Sequence, residues 1–380
     1  MVPLRFSIAL VCSSVALFAG PGRAQEELRA APPAAWQGVW QGAIGQMPVH
    51  VCLARTDYER NGAYYYDRLK RLLRLVPGKA DGEWFEQETY DKNGARWSIS
   101  EHNGALLGTW RLGAKELPVR LMRIEAPSKE EEGPCGSLAF HRPRLAPVHL
   151  ASRHATQNGA PYTIWTFKPG PWLNDEVQIT TFTLDGPSPQ LSKINSLLRA
   201  ALPRPDGTGE WLDCVAGNVS SSGIDGGYSK TIEPTIITER WLAAKERGEY
   251  NCGGVHPNTV ATPRTFDLGR GIEVDPLDWL GPKAVHRESL GSDGGVYKTL
   301  TPAFMAVLLH GWKNNKLPDC DDVTRSQDSW TAGIERGALI FSPNFPHAVM
   351  VCSDEFKVPV GRLAPWLNDE GRAAIATLPR

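Results

Sequence analysis

The chain has 380 residues, 22% charged and 41% hydrophobic, with 41 Lys and Arg against 42 Asp and Glu for a net charge of −1. No basic run stands out, which excludes the electrostatic footprint of a nucleic-acid binder and of a polybasic membrane-adhering face. At this length two domains are expected rather than one.

The first residues read as a secretory signal over 1–24: Arg5, an apolar run from Phe6 to Ala19, then small residues Gly22 and Ala24 before Gln25. The apolar run is shorter than the roughly 20 residues a membrane helix needs, and no later stretch approaches that length, so no stable membrane insertion is expected. Ala9-Leu10-Val11 ahead of Cys12 lacks the small residue of a lipoprotein site. An exported protein, periplasmic or extracellular, is the expectation. Cleavage would remove Arg5, Arg23 and Cys12 and leave 39 basic against 42 acidic residues. It would also leave an even set of cysteines, Cys52, Cys135, Cys214, Cys252, Cys320 and Cys352, which in an exported chain points to disulfides. Order along the chain favours Cys52 with Cys135, Cys214 with Cys252 and Cys320 with Cys352. With no Cys-x-x-Cys pair and no His-x-x-x-His, neither a metal nor a cofactor is expected.

After a Pro/Ala spacer at 30–35 the pattern becomes short strands split by turn residues. Val49, Val51 and Leu53 alternate as one face of a strand, and further strands are expected at 64–66, 83–87, 96–100, 105–111 and 118–124. Pro77-Gly78, Asp81-Gly82, Asn93-Gly94 and Asn103-Gly104 punctuate them. This spacing predicts an antiparallel sheet or barrel over 34–125, filled by tryptophans 36, 40, 84, 97 and 110. The breaker-rich, polar stretch 126–158 reads as a linker.

Beyond it, 159–380 reads as an α+β domain. A strand is expected at 177–184, then a helix at 190–198 with Leu191, Ile194, Leu197 and Leu198 on one face. Helices are also expected at 302–312 and from about 363 to 378, and strands at 235–238, 265–268, 338–341, 349–352 and 356–360. Strands interrupted by a few helices give an α+β class overall: an antiparallel barrel-like module followed by a mixed domain. Two near-repeats, 225–234 with 293–302 and 171–176 with 365–370, differ in separation and read as recurrent turn chemistry.

Candidates for chemistry are few. His256 lies on a Gly-Gly turn upstream of Asp267 and Glu273, and His347 precedes Cys352 and Asp354. His256, Asp267, His347 and Asp354 are the candidate site residues, with a turn histidine that satisfies backbone groups as the plainer account of His256. A general base needs a hydrogen-bonded partner and a reacting group within reach. No Gly-x-Ser-x-Gly elbow, Ser-x-x-Lys set, His-Glu-x-x-His or phosphate loop occurs. The acid pairs Asp175-Glu176 and Asp321-Asp322 read as solvated charges. Asn218-Val219-Ser220 matches the short glycosylation sequon.

One segment is more particular: Tyr250-Asn251-Cys252-Gly253-Gly254-Val255-His256-Pro257-Asn258, followed by Phe266-Asp267-Leu268-Gly269-Arg270-Gly271. Together with 177–202 before them, Leu277-Asp278-Trp279-Leu280, 338–347, and Val358-Pro359 up to Leu363, these pieces come in a telling order. From about residue 160 to the end the chain resembles the extracellular region shared by lysozyme-sensing anti-sigma factors and some peptidoglycan deacetylases of bacteria. That family carries Tyr-x-Gly-Gly-Ala-His-x-Asn and then aromatic-Asp-Leu-x-x-Gly. Here Val255 replaces the alanine, and Cys252 is an addition that suggests a disulfide-stabilised variant. The chain shows no anti-sigma segment with a membrane helix and no deacetylase domain, so signalling and deacetylation do not carry over. The resemblance implies a module that binds an envelope component, such as a lysozyme-like protein or a peptidoglycan fragment.

The resulting expectation is an exported, soluble, non-enzymatic envelope-binding protein. The alternative is a periplasmic hydrolase with His256 as general base beside Asp267. A purely structural role is the third reading.

Overall fold

Alternating apolar residues and glycine turns build the first half of the molecule. In the computed structural model the described residues are 34–379, apart from 56–59, 88–93, 127–132, 174–175, 255, 291–294, 314–316 and 318; the expected signal at 1–24 lies outside them. Strands β1 (Gly38–Ile44), β2 (Met47–Arg55), β3 (Arg60–Tyr66), β4 (Leu73–Pro77), β5 (Glu83–Gln87), β6 (Arg96–His102), β7 (Ala105–Leu112) and β8 (Lys115–Glu125) pair in chain order. β8 returns antiparallel to β1, which closes the barrel and leaves no open edge. Asn103 and Gly104, at φ 52° and 81°, make the two-residue turn between β6 and β7. An eight-stranded barrel is just wide enough to be filled by side chains. Trp40, Trp84, Trp97 and Tyr64 fill this one, and Trp36 and Trp110 are buried with them. Trp84, Trp97 and Trp110 are direct cross-strand neighbours on β5, β6 and β7.

β2 is buried on both faces. Val49, Val51 and Leu53 are fully buried, and so is Cys52 on the opposite side. The reason is that α1 (Gly133–Gly136) and α2 (Leu138–His141) cover that outer side, where Cys52, Ala54, Ala63 and Tyr65 pack on Cys135 and Phe140. The Cys52–Cys135 disulfide lies within this contact. Arg144, 1% exposed, then fastens the barrel to the second half of the chain. Its guanidinium donates to both Asp225 oxygens at 2.8 and 2.7 Å and to Lys70 O at 3.0 Å, and it lies 4.5 Å from the Trp172 ring centroid. A buried cation is tolerated because its donors are met this fully.

The second half is layered on one seven-stranded sheet. β9 (Leu150–Gln157), β10 (Ala160–Phe167), β11 (Val177–Leu184), β12 (Gly227–Ile237), β13 (Trp241–Asn251), β14 (Asn258–Asp267) and β15 (Ile272–Val274) lie in the order β15-β14-β13-β12-β11-β10-β9. Only β11 and β12 run parallel, and a parallel pair requires a long crossover. That crossover carries α3 (Pro189–Arg199) and α4 (Glu210–Ser222). Ser188 caps α3 through the Gln190 N–H at 3.2 Å. Ile194 and Leu198 are fully buried against the sheet, whereas Leu197 is 42% exposed. Positions 191, 194 and 198 follow the helical repeat and Leu197 falls off that face.

The other side of the sheet receives the rest of the chain: the ribbon β16 (Val285–Leu290) and β17 (Gly295–Leu300), α5 (Pro302–Leu308), α6 (Cys320–Arg325), the small sheet β18 (Trp330–Glu335), β19 (Ala338–Pro343) and β20 (Phe356–Pro359), and α7 (Val360–Leu363) with α8 (Asp369–Ile375). Trp241, Trp279, Phe304, Phe341 and Leu363 centre the largest core. The strand expected at 349–352 is instead a 3-10 helix, 347–352, because Pro346 opens it and Cys352 is tied to Cys320 at the start of α6. The architecture is α+β, a closed antiparallel barrel followed by a mixed sheet with helices. No helix among the described residues is long and apolar enough to cross a membrane.

Candidate functional site

The glycine-rich turn joins β13 to β14, and α4 determines its shape. Cys252 is bonded to Cys214 of α4, with Cα atoms 4.1 Å apart. Gly253 and Gly254 have φ of 95° and 108°, a region that L side chains rarely adopt. A Cβ on Gly253 would also come within 2.7 Å of Ser221 Oγ. Gly217 yields from the other side, since a Cβ there would stand 2.7 Å from the Cys252 carbonyl oxygen. The turn is therefore pressed onto α4 and held by a covalent bond at its root. It presents His256, which is exposed.

His347 arrives from a distant part of the sequence. The 3-10 helix 347–352 lies near the start of β14 and is anchored at its end by the Cys320–Cys352 disulfide. The His256 and His347 rings are 6.0 Å apart between centroids, at 21°. Both are exposed. Among the described residues neither ring has a hydrogen-bond or ion-pair partner. Chain order favoured the pairings Cys52–Cys135, Cys214–Cys252 and Cys320–Cys352, and these are the three disulfides among the described residues.

Asp267, one of the two acidic candidates, sits elsewhere. Asp267 closes β14, and nine residues at about 3.3 Å each put it roughly 30 Å from the strand's start next to His256. It is 2% exposed, and its Oδ1 accepts from the Gly269 and Arg270 amides at 3.0 and 3.2 Å. Its work is to hold the following turn. Glu273 is engaged by Arg264 at 2.8 and 2.7 Å. Asp354 accepts from Trp312 Nε1 at 3.0 Å. So the fold brings His256 and His347 together and leaves Asp267 at the far end of the strand.

Other polar groups singled out by sequence have local duties. Asn218 of the sequon is buried within α4 and donates to Ile224 O and Asp225 O. Asp225, in the first near-repeat, pairs with Arg144; its counterpart Asp293 lies outside the described residues. A charged row crosses the sheet, Glu210 to Lys230 to Glu246 to Arg264 to Glu273, with contacts of 2.7 to 3.4 Å. Each charge in that row has an opposite partner. No three His, Cys, Asp or Glu side chains gather as a metal-binding group among the described residues.

One residue escaped the sequence reading. Glu86 of β5 extends a single oxygen, Oε1, to Tyr64 OH at 2.5 Å, Trp110 Nε1 at 2.6 Å and Trp97 Nε1 at 3.1 Å. Burial, and then the Glu86 charge, push the Tyr64 phenol far above its ordinary range, so it remains a donor. The available signal was the alternation of β5, which puts Glu86 on the same side as Trp84.

Two solved structures of bacterial DUF3298 family proteins are similar to this chain. The Pseudomonas aeruginosa protein is 14% identical, with a TM-score of 0.33 over 59% of this chain and 95% of its own. The Bacteroides fragilis protein is 10% identical, with a TM-score of 0.39 over 62% of this chain and 98% of its own. No residue role passes from either at these identities. No protein-family model matches the sequence, and no curated protein does.

Proposed function

We propose that this is an exported protein of the bacterial envelope whose second domain, 159–380, binds a lysozyme-like protein or a cell-wall glycan without transforming it. The observation that carries the reading is the His256–His347 surface: two exposed imidazoles side by side on loops that are each rooted in a disulfide. Loops fixed in this way lose little freedom on binding, which favours recognition. A histidine base needs an orienting partner, and Asp267, the carboxylate proposed for that role, lies at the other end of β14. Three disulfides suit an oxidising compartment outside the cytoplasm.

The test is retention of the oxidised protein on immobilised lysozyme and on purified peptidoglycan. Binding to one of them is expected, weakened about tenfold or more in a His256→Ala, His347→Ala double variant, a loss within the range for central contact residues. Retention on neither sinks the proposal. Release of soluble wall fragments that His256→Ala abolishes would put the hydrolase reading in its place.

A further inference from the structure

The three disulfides differ in what can reach them. Cys52, Cys135 and Cys320 are fully buried, and Cys352 is 4% exposed. Cys214 is buried in α4 as well, but its partner Cys252 is exposed on the β13–β14 turn. Thiol–disulfide exchange begins with a thiolate attacking one sulfur, so access decides which bond is broken first. Among the described residues, Cys214–Cys252 is the disulfide that offers solvent a cysteine.

That bond is also the tether of the turn. Among the described residues, no backbone hydrogen bond outside the strand ladders involves Cys252, Gly253, Gly254 or His256. The turn rests against α4 on glycine packing and one covalent bond, and its two glycines have the most conformational freedom to regain. The buried half of the pair is provided for without its partner: Cys214 Sγ lies 3.5 Å from Gly227 O, an acceptor for the thiol that reduction leaves. His347 has a separate anchor in the buried Cys320–Cys352 bond. Opening Cys214–Cys252 therefore frees His256, leaves His347 in place and separates rings now 6.0 Å apart.

We infer that Cys214–Cys252 is a reducible switch for the turn that presents His256, opened by a dithiol. A thiolate of the dithiol attacks Cys252 Sγ to form a mixed disulfide, and Cys214 leaves as a thiolate that takes up a proton. The second thiol of the reductant then displaces Cys252, which is protonated in turn. The dithiol ends as a disulfide, and the protein gains two electrons and two protons. Only the effect on ligand binding rests on the His256–His347 surface being the binding site; the opening of the bond does not.

Stepwise reduction of the native protein with dithiothreitol, trapping with N-ethylmaleimide and peptide mapping test it. Cys214 and Cys252 should label at a dose about tenfold below that of the other four cysteines, since access governs exchange. In this first reduced form, hydrogen exchange over 250–258 should accelerate about tenfold or more while far-ultraviolet circular dichroism is unchanged, and reoxidation should restore slow exchange. Labelling of either other disulfide at the same dose, unaltered exchange in a turn whose bond is open, or global unfolding at this first step would overturn the inference. On the ligand that retains the oxidised protein, lysozyme or peptidoglycan, the first reduction should weaken retention about tenfold. Undiminished retention of the reduced protein, where the His256→Ala, His347→Ala variant does lose it, would also overturn the switch. Retention of the oxidised protein on neither ligand defeats the binding proposal alone, and labelling and exchange still decide the switch.

Discussion

His141 shows how one residue couples the joint beneath the barrel to solution pH. It is 2% exposed, its Nε2 is 2.8 Å from Cys135 O, and its ring meets Phe140 edge-on. Burial first, and then the neighbouring Arg144 charge, hold its pKa down at about 4 against an ordinary 6.5. The unfolded chain therefore takes up this proton before the folded one does. The stability from a neutral His141 is full above pH 6.5 and is lost as the pH falls through that window toward 4. The gap corresponds to about 3 kcal/mol. Urea unfolding at pH 7, 5.5 and 4 should show this loss, and His141→Gln should flatten that part of the profile. An unchanged slope in the variant would place the acid sensitivity elsewhere.

At the scale of elements, α4 is the instructive case. Its sequence carries Gly217, Asn218 and three serines, which disfavour a helix on intrinsic preference. It forms because Trp211, Val215 and Val219 are buried and because Gly217 lets the Cys252 carbonyl approach. Tertiary contact overrides local preference here, and no local pattern announces it. The same contact governs the turn that bears His256. Replacing both Cys214 and Cys252 by serine should cost about 3 kcal/mol of unfolding free energy. Hydrogen exchange should accelerate over 250–258 and leave the barrel strands β5 to β7 protected. If exchange in the turn stays slow, the glycine packing and not the disulfide holds it.

Across the whole molecule, what was legible depended on whether the cause was local. β5 to β8 follow from alternation and turn dipeptides such as Asn103-Gly104, and so does the barrel class. β4 was missed because 71–77, Arg-Leu-Leu-Arg-Leu-Val-Pro, opens without a turn signal or clean alternation. The segment 349–352 was misread since four apolar residues suit a strand or a tight helix alike. His256 and His347 were each noticed, but their adjacency depends on how the 3-10 helix meets β14 across about ninety residues of chain. Glu86 was invisible for a related reason: a lone acid in a strand looks solvated until the rings around it are in place.

The disulfides carry one more consequence, for how the chain matures. Their partners are separated by 83, 38 and 32 residues, and none of the three spans another. Each cysteine from Cys52 onward is joined to its immediate neighbour in the series. If the expected signal at 1–24 is removed with Cys12, a chain delivered amino end first meets its proper partner as the next thiol to emerge, and an oxidase that joins thiols in order of arrival makes no errors. Maturation should then need an oxidant but no shuffling enzyme. Peptide mapping of chains oxidised during export in cells lacking a disulfide isomerase should recover these three links as the dominant set; a scrambled majority would show that order of arrival does not guide them.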